Sequence, residues 1–553
     1  MTRPIQSITI VGGGTAGWMA ATMLDTFLNR RGAGERVAIR LIESPDAPTI
    51  GVGEATVPAM PRTLAQLEID EREFYKRCNA SYKLGVLFDG WNVDESGKRM
   101  TYINPFNPEP LVRSVPVSLY FNRFAKAGQR YDRSVDLARS LVEAGRGPML
   151  ASARDPRART NFAYHFDAGQ FAHLLKDTAV ARGVEHVLDH VDDVELDERG
   201  FVSALQLRER GRAEVELVID CSGFRGLIIN KALGEPFESY ADAMPNDTAL
   251  AVQIPHADFD RLEPATRSTA LKAGWAWRVP LYHRVGTGYV FSSAHVTVEE
   301  ATREFLDHLG MKEGEVEPRA IKMRIGRTRR PWVKNCVAIG LSSGFVEPLE
   351  STAIFAVDMA IRWLCEYFPE SDFPEAVSAR YNRNLRMMFE EVRDFIALHY
   401  RLSNRQDTDY WREVQDPART PERLEENLAL WSHVLPTPRD LPTAHLFPHD
   451  TYKAVLFGKG FYEGKRLSRA ATLSEAHWRE FGEMIGTRRD ELVRELPDHR
   501  SLLDYKRGED LPAQPRALMM TSQGAGKGAS RGKAAPARKR AAPVFEPSSG
   551  SLL

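Results

Sequence analysis

Apolar positions along the chain recur with two periods and divide it into elements. Residues 7–11 (SITIV) have the β-branched pattern of a buried strand, and after a glycine turn GWMAATMLDTFLNR repeats its apolar positions with helical spacing. RVAIRLIE (36–43) reads as the next parallel strand, so the chain opens with a β-α-β unit. SYKLGVLFDGW (81–91) alternates as one strand. VELVIDCSGFRG (215–226) is a strand running into a glycine-bearing turn, and NCVAIGLSSGFVEPLEST (335–352) repeats that shape before a long amphipathic helix, AIFAVDMAIRWLCEYF. From about 375 to 505 the pattern is mostly helical. In GWAWRVPL (274–281), Trp275 and Trp277 fall on one face of a predicted strand, where their indoles would form one flat wall. The fold class expected from this order is α/β.

Composition narrows the class. With 43% apolar and 27% charged residues, the 553-residue chain can bury a large core. A formal charge of −1 provides no field for nucleic acid, and no apolar run is long enough to span a membrane. The N-terminus enters a strand at once, leaving no room for a signal peptide, so a cytoplasmic protein is expected. Cys78, Cys221, Cys336 and Cys365 are widely separated, and the histidines show no metal-site spacing; neither a disulfide framework nor a metal site is expected. Past residue 515 a Gly-, Ala-, Pro- and Lys/Arg-rich stretch has no apolar period and reads as a disordered basic tail.

Chemistry enters at the first turn. ITIVGGGTAGWMAA places Gly12, Gly14 and Gly17 in G-x-G-x-x-G spacing between strand and helix. Gly12 permits the tight turn, Gly14 lets a pyrophosphate approach the backbone beside Thr15 and Ala16, and Gly17 lets helix pack on strand. Glu43, ending the second strand, can accept bonds from ribose hydroxyls. FAD and NAD both satisfy this unit. The later glycine-bearing turns, including Gly340 and Leu341, favour FAD, because a flavin needs several backbone segments close to it. The loop IGVGEATVP (50–58), with Gly53, Glu54 and Ala55, is a further segment able to lie over the ring.

GWAWRVP resembles the W-x-W-x-I-P signature of the flavin-dependent tryptophan halogenase family, with Val279 where isoleucine is usual. The likeness extends through VGGGTAGWMAA, IGVGEATVP, CNASYKLGVLFDGW, AYHFDAGQFAHLL, DCSGFRG, GLSSGFVEPLEST and LHYRLSNRQDTDYW, up to about residue 470. It implies a discontinuous FAD-binding domain over 1–370 with inserted substrate-site segments at about 80–215 and 235–330. A mainly helical substrate-side region over 371–510 follows, and the tail at 515–553 lies outside the likeness. It implies that FADH2, oxygen and halide generate hypohalous acid, which travels to Lys83. There it is hydrogen-bonded or forms a haloamine, and Glu350 receives the proton lost from the aromatic ring. The haloamine route needs a neutral amine, which burial among Tyr82, Leu84 and the tryptophans would favour; both routes stay open.

Several site features follow from the same likeness. Ser351 or Thr352 would cap the helix after Glu350, and the N–H groups of Thr352 and Ala353 suit chloride or bromide. The family commonly has glycine at position 353. Trp275 and Trp277 would stand between flavin and substrate, beside Pro58. TYINPF (101–106) lies where tryptophan-using relatives carry H-P-F, so Asn104 replaces a histidine while Phe106 remains. With no tyrosine-pair clasp for an amino acid's backbone, free indole or a derivative is expected ahead of tryptophan. No second dinucleotide fingerprint is present, which implies a separate NAD(P)H-dependent flavin reductase. A homodimer is compatible with the pattern. The competing readings are a flavin-dependent monooxygenase (aromatic hydroxylase), a reductase of isoprenoid chains on a similar fold, and a non-catalytic flavin-binding protein.

Overall fold

The computed structural model describes residues 3–30, 34–46, 53–441, 443 and 445–508. The basic tail expected past 515 and the first residues of the 50–58 loop lie outside the described residues. The opening β-α-β unit is present: Ser7–Val11 pairs in parallel with Ala38–Glu43 on one side and Leu217–Asp220 on the other. Glu185–Leu188 extends the sheet beyond Ala38–Glu43, and Cys336–Ala338 extends it beyond Leu217–Asp220, both in parallel. Trp332–Val333 closes the far edge as an antiparallel hairpin partner. The result is a six-stranded Rossmann-like sheet in an α/β fold, its central strands buried on one face by the helices Thr15–Leu24 and Ala353–Glu366 and on the other by a three-stranded antiparallel sheet (191–214) and the helical turn Leu227–Ala232.

The first helix is α-helical over Thr15–Leu24 and then widens into a π-helix over Asp25–Arg30. The apolar period predicts a continuous α-helix here. The hydroxyls of Thr22 and Thr26 donate back to the carbonyls of Trp18 and Thr22, a pattern that competes with the helical ladder and bends it.

The segment 81–91 also departs from its predicted form. It breaks at Leu84 into two strands that join different sheets. Ser81–Lys83 pairs with Ala163–Asp167, which pairs on its other edge with Gly53–Ala55. Gly85–Val93 joins a seven-stranded sheet, between Thr266–Ala270 in parallel and Arg99–Pro105 antiparallel. At the break, Leu84 N–H donates to Pro264 O, outside both ladders. Gly85 is required because a Cβ there would lie 2.6 Å from Asn104 O. Lys83 is therefore the last residue of the small sheet, at its junction with the large one. The Trp-bearing strand Gly274–Pro280 lies within the large sheet.

Beyond the sheets, Ala353–Glu366 and the 27-residue helix Glu375–Arg401 pack inward, and further helices include Glu422–Trp431, His449–Gly458 and Glu475–Glu495. The long helix buries Val392, Phe395, Ile396 and His399 on one stripe, with Phe395 stacked on Phe447 at 3.9 Å between centroids.

The glycine turn carries a direct test. A Cβ on Gly17 would lie 1.8 Å from Gly12 O, whereas one on Gly14 would meet nothing within 4 Å. Alanine favours a helix interior by about 1 kcal/mol, but overpacking costs about 1–3 kcal/mol, and here the clash is with backbone. Gly17→Ala should lower stability in urea unfolding by about 1–3 kcal/mol. Gly14→Ala should unfold at the wild-type midpoint.

Candidate active site

One cavity of about 800 Å³ runs from the glycine turn to the two tryptophans. Its size lies in the range of cofactor clefts, about 300–1,000 Å³. Gly12, Gly14, Thr15 and Ala16 line one end, and Gly53, Glu54, Ala55, Gly340 and Leu341 line its course. Gly12 holds φ at 118°, and a Cβ there would strike Cys221 O, so only glycine fits the turn. Gly14 leaves open space in front of the helix N-terminus, where backbone N–H groups face an anion. An elongated cleft with an open glycine cradle at a helix start fits FAD. Gly17 stands behind the lining and serves the helix–strand contact. Glu43 leans over Gly13 and lies 2.9 Å from His186 Nε2; the acidic side chains lining the cavity at this end are Asp46, Asp189 and Asp192.

Trp275, Trp277 and Val279 line the cavity in alternation, so the shared strand face is as predicted. The flat wall is not. The two indoles are 6.3 Å apart and inclined at 60°, edge to face, an arrangement aromatic quadrupoles favour over coplanarity. Behind Trp275 lies Trp91 at 6.4 Å, then Phe88 at 5.7 Å from Trp91, and Phe88 contacts Tyr102 and His399. The cavity wall here is thus the face of a packed aromatic block several rings deep.

Lys83 is fully buried and stands behind the cavity wall. Its Nζ donates to Thr56 O and to Ser351 Oγ, both at 2.9 Å, and sits 5.2 Å from the centroid of Phe106. Ser351 itself lines the cavity, so one hydrogen bond connects the ammonium with that chamber. Burial pushes the Lys83 amine down to about 7, against the opposing pull of Glu350.

The segment that joins these parts is short. Glu350 ends the turn Pro348–Glu350, and Ser351 adopts φ 62°, ψ 42°, left-handed backbone that costs a non-glycine residue roughly 1–2 kcal/mol. This reversal sends the Glu350 carboxylate away from the cavity while Ser351, Thr352 and Ala353 line it. Glu350 Oε1 accepts from Asn104 Nδ2 at 2.9 Å and lies 3.1 Å from His399 Nε2. The helix cap expected from Ser351 or Thr352 is absent: neither hydroxyl caps Ala353–Glu366, and Ser351 Oγ serves Lys83 instead. Among the described residues the N–H groups of Thr352 and Ala353 have no acceptor at the cavity wall. Pro58, expected beside the substrate, is exposed in the turn before Met60–Gln66.

The structure brings Lys83, Glu350, and the pair Asn104 and Phe106 together from three segments of the chain. It adds Thr56 and His399, which the sequence did not single out, and gives Ser351, expected as a helix cap, the role of a partner to Lys83. His399 had a legible signal, a histidine in the apolar stripe of a predicted helix; the carbonyl of Thr56 had none. Burial also raises the carboxyl of Glu54, on the cavity wall, to about 7. It does the same for Glu347, which accepts from Asn246 at 2.9 Å and from Tyr400.

A tryptophan halogenase family model matches residues 7–474. The chain belongs to the tryptophan halogenase family. It is 39% identical over 497 residues to tryptophan 6-halogenase SttH of Streptomyces toxytricini, covering 86% of this chain and 93% of that one. It is 40% identical over 430 residues to tryptophan 7-halogenase RebH of Lentzea aerocolonigenes, covering 74% and 79%. The crystal structure of SttH superposes with a TM-score of 0.85 at 38% identity, over 90% of this chain and 100% of that chain. The protein is accordingly a flavin-dependent halogenase-family enzyme. The names of these two relatives differ in ring position at nearly equal identity. Among the described residues no helix is long and apolar enough to cross a membrane.

The Lys83 amine has a measurable signature. Unfolded, a lysine titrates near 10.5; folded, this one titrates near 7. Between those values the unfolded chain binds the extra proton, so raising the pH favours the fold through this group. In urea unfolding, wild type should gain stability relative to Lys83→Met between pH 7 and pH 10, and the difference should level off below pH 7. A pH-independent difference would show an unperturbed lysine.

Proposed function

We propose that this enzyme halogenates an electron-rich aromatic, with free indole or a simple indole derivative preferred and tryptophan second. Reduced FAD, with oxygen and bromide or chloride, supplies the oxidised halogen as hypohalous acid. The helix-start N–H groups of Thr352 and Ala353 hold the halide at the cavity wall, and the methyl of Ala353 narrows that position relative to glycine. The aromatic block behind Trp275 and Trp277 keeps the organic substrate from the flavin chamber. Ser351 marks the point at which the wall gives access to Lys83.

The observation that carries this reading is the Lys83 amine, sealed between Thr56 O, Ser351 Oγ and Phe106, one hydrogen bond from the cavity. As an ammonium it holds the hypohalous oxygen and stabilises the leaving hydroxide. Its lowered pKa also supplies neutral amine near pH 7, so both the hydrogen-bonded and haloamine routes remain available to it. Glu350 receives the ring proton. Asn104 supports the substrate preference: an amide bound to Glu350 replaces the flat imidazole that its position would otherwise set against an indole. A separate NAD(P)H-dependent reductase supplies FADH2.

Reduced FAD, oxygen and bromide offered with a panel of indoles should give a product with the bromine isotope doublet in mass spectrometry. Free indole or a simple derivative should outpace tryptophan. Lys83→Ala should retain flavin affinity and lose at least about 100-fold in product formation. Product at the wild-type rate and regioselectivity in that variant removes Lys83 from its role; an oxygenated, bromide-independent product points to the monooxygenase instead.

A further inference from the structure

His399, fully buried on the long helix, has Nδ1 2.9 Å from the carbonyl of Phe395, which only accepts. In a neutral imidazole the ring proton is therefore on Nδ1, and Nε2 is a lone pair. That lone pair lies 3.1 Å from Glu350 Oε1, an oxygen that is itself an acceptor when ionised. Two acceptors at this distance repel, and a 3.1 Å separation leaves no space for a molecule between them. The contact is off the ring's N–H axis, and Nε2 has no other hydrogen-bond partner among the described residues. One proton, on Nε2 or on Oε1, turns the repulsion into attraction. Asn104 Nδ2 donates to the same Oε1, which leaves Oε2 for another partner.

The surroundings decide how such a proton is shared. Burial disfavours charge on His399, Glu350 favours it, and Lys459 opposes it. Lys459 is itself buried and held by Asn92 Oδ1 at 3.0 Å. Lys83 and Tyr102 face Glu350 from two other strands.

Resting on the halogenation reading, we propose that Glu350 and His399 share one proton, and that His399 takes up positive charge as Glu350 receives the aromatic proton. When the carbon–halogen bond forms, the halogen–oxygen bond breaks with its electron pair on oxygen, and Lys83 protonates that oxygen to water. The ring C–H bond then breaks and its electron pair returns to the aromatic system. The proton binds Oε2 while the proton on Oε1 passes to Nε2. Lys83 becomes an amine as the Glu350–His399 pair gains a proton, so the buried group of three keeps its total charge. Return of a proton from the pair to Lys83 resets the site. His399 acts through Glu350 and is a positioning residue.

His399→Gln keeps a donor toward Oε1 but cannot take a proton. It should lower halogenation at least about tenfold while flavin affinity and the thermal midpoint stay at wild-type values. The isotope effect on a ring-deuterated substrate should rise as proton removal becomes limiting, and the pH–rate profile should lose one limb. A slower variant with unchanged isotope effect and pH profile overturns the relay. The resting pair can be read without turnover, and without any folding risk at His399, by 15N NMR of histidine-labelled protein. Glu350→Gln should move one buried Nε2 resonance toward unprotonated nitrogen; no response overturns the shared proton. A response in NMR together with no halogenated product from wild type overturns the halogenation reading instead.

Discussion

The organisation of this molecule depends on an ammonium group kept out of water with two oxygen acceptors. Taking an amine from solvent into a protein interior disfavours its charged form, and the displacement of the Lys83 pKa to about 7 expresses that. Thr56 O and Ser351 Oγ stabilise the charged form, and Phe106 offers its ring face. Each of these partners comes from a different part of the chain. The fold has to bring a loop, a small sheet, a large sheet and a helix start to one point before the amine can be seated.

The sheet break at Leu84 provides the means. Had 81–91 continued as one strand, Lys83 would belong to the same ladder as Gly85–Val93. Ending the first strand at Lys83 ties the amine to Gly53–Ala55 through the shared partner Ala163–Asp167, and so to a wall of the flavin cavity. Resuming at Gly85 pairs the next residues with Asn104 and Pro105, and so sets the amine beside Phe106. The closeness of Lys83 to the cavity wall is thus built into backbone pairing, which is stiffer than side-chain contact alone.

Much of this was readable in the sequence. The β-α-β unit, the glycine turn, the Trp-bearing strand and the helix after Glu350 all emerged from spacing and period, because each is a local pattern. The features that escaped are those set by contacts distant along the chain. Nothing in SYKLGVLFDGW marks Leu84 as a break, since the partner that captures its N–H is Pro264. The cap expected from Ser351 or Thr352 failed because Ser351 Oγ accepts from a lysine 268 residues away and Thr352, at the cap position, has helical rather than extended backbone. The indoles share a face as period two requires, but their mutual tilt depends on rings packed from elsewhere. Asn104 and Glu350 were each singled out, yet their hydrogen bond joins positions 246 apart in the chain and is visible only in the fold.

The left-handed backbone at Ser351 has an evolutionary consequence. Glycine would relieve the strain there and discard the hydroxyl; threonine would keep the hydroxyl, but its branched Cβ tolerates that conformation poorly. Substitution space at this position is consequently narrow from two independent directions, conformational and chemical. A replacement there has to satisfy the backbone and the Lys83 amine at once.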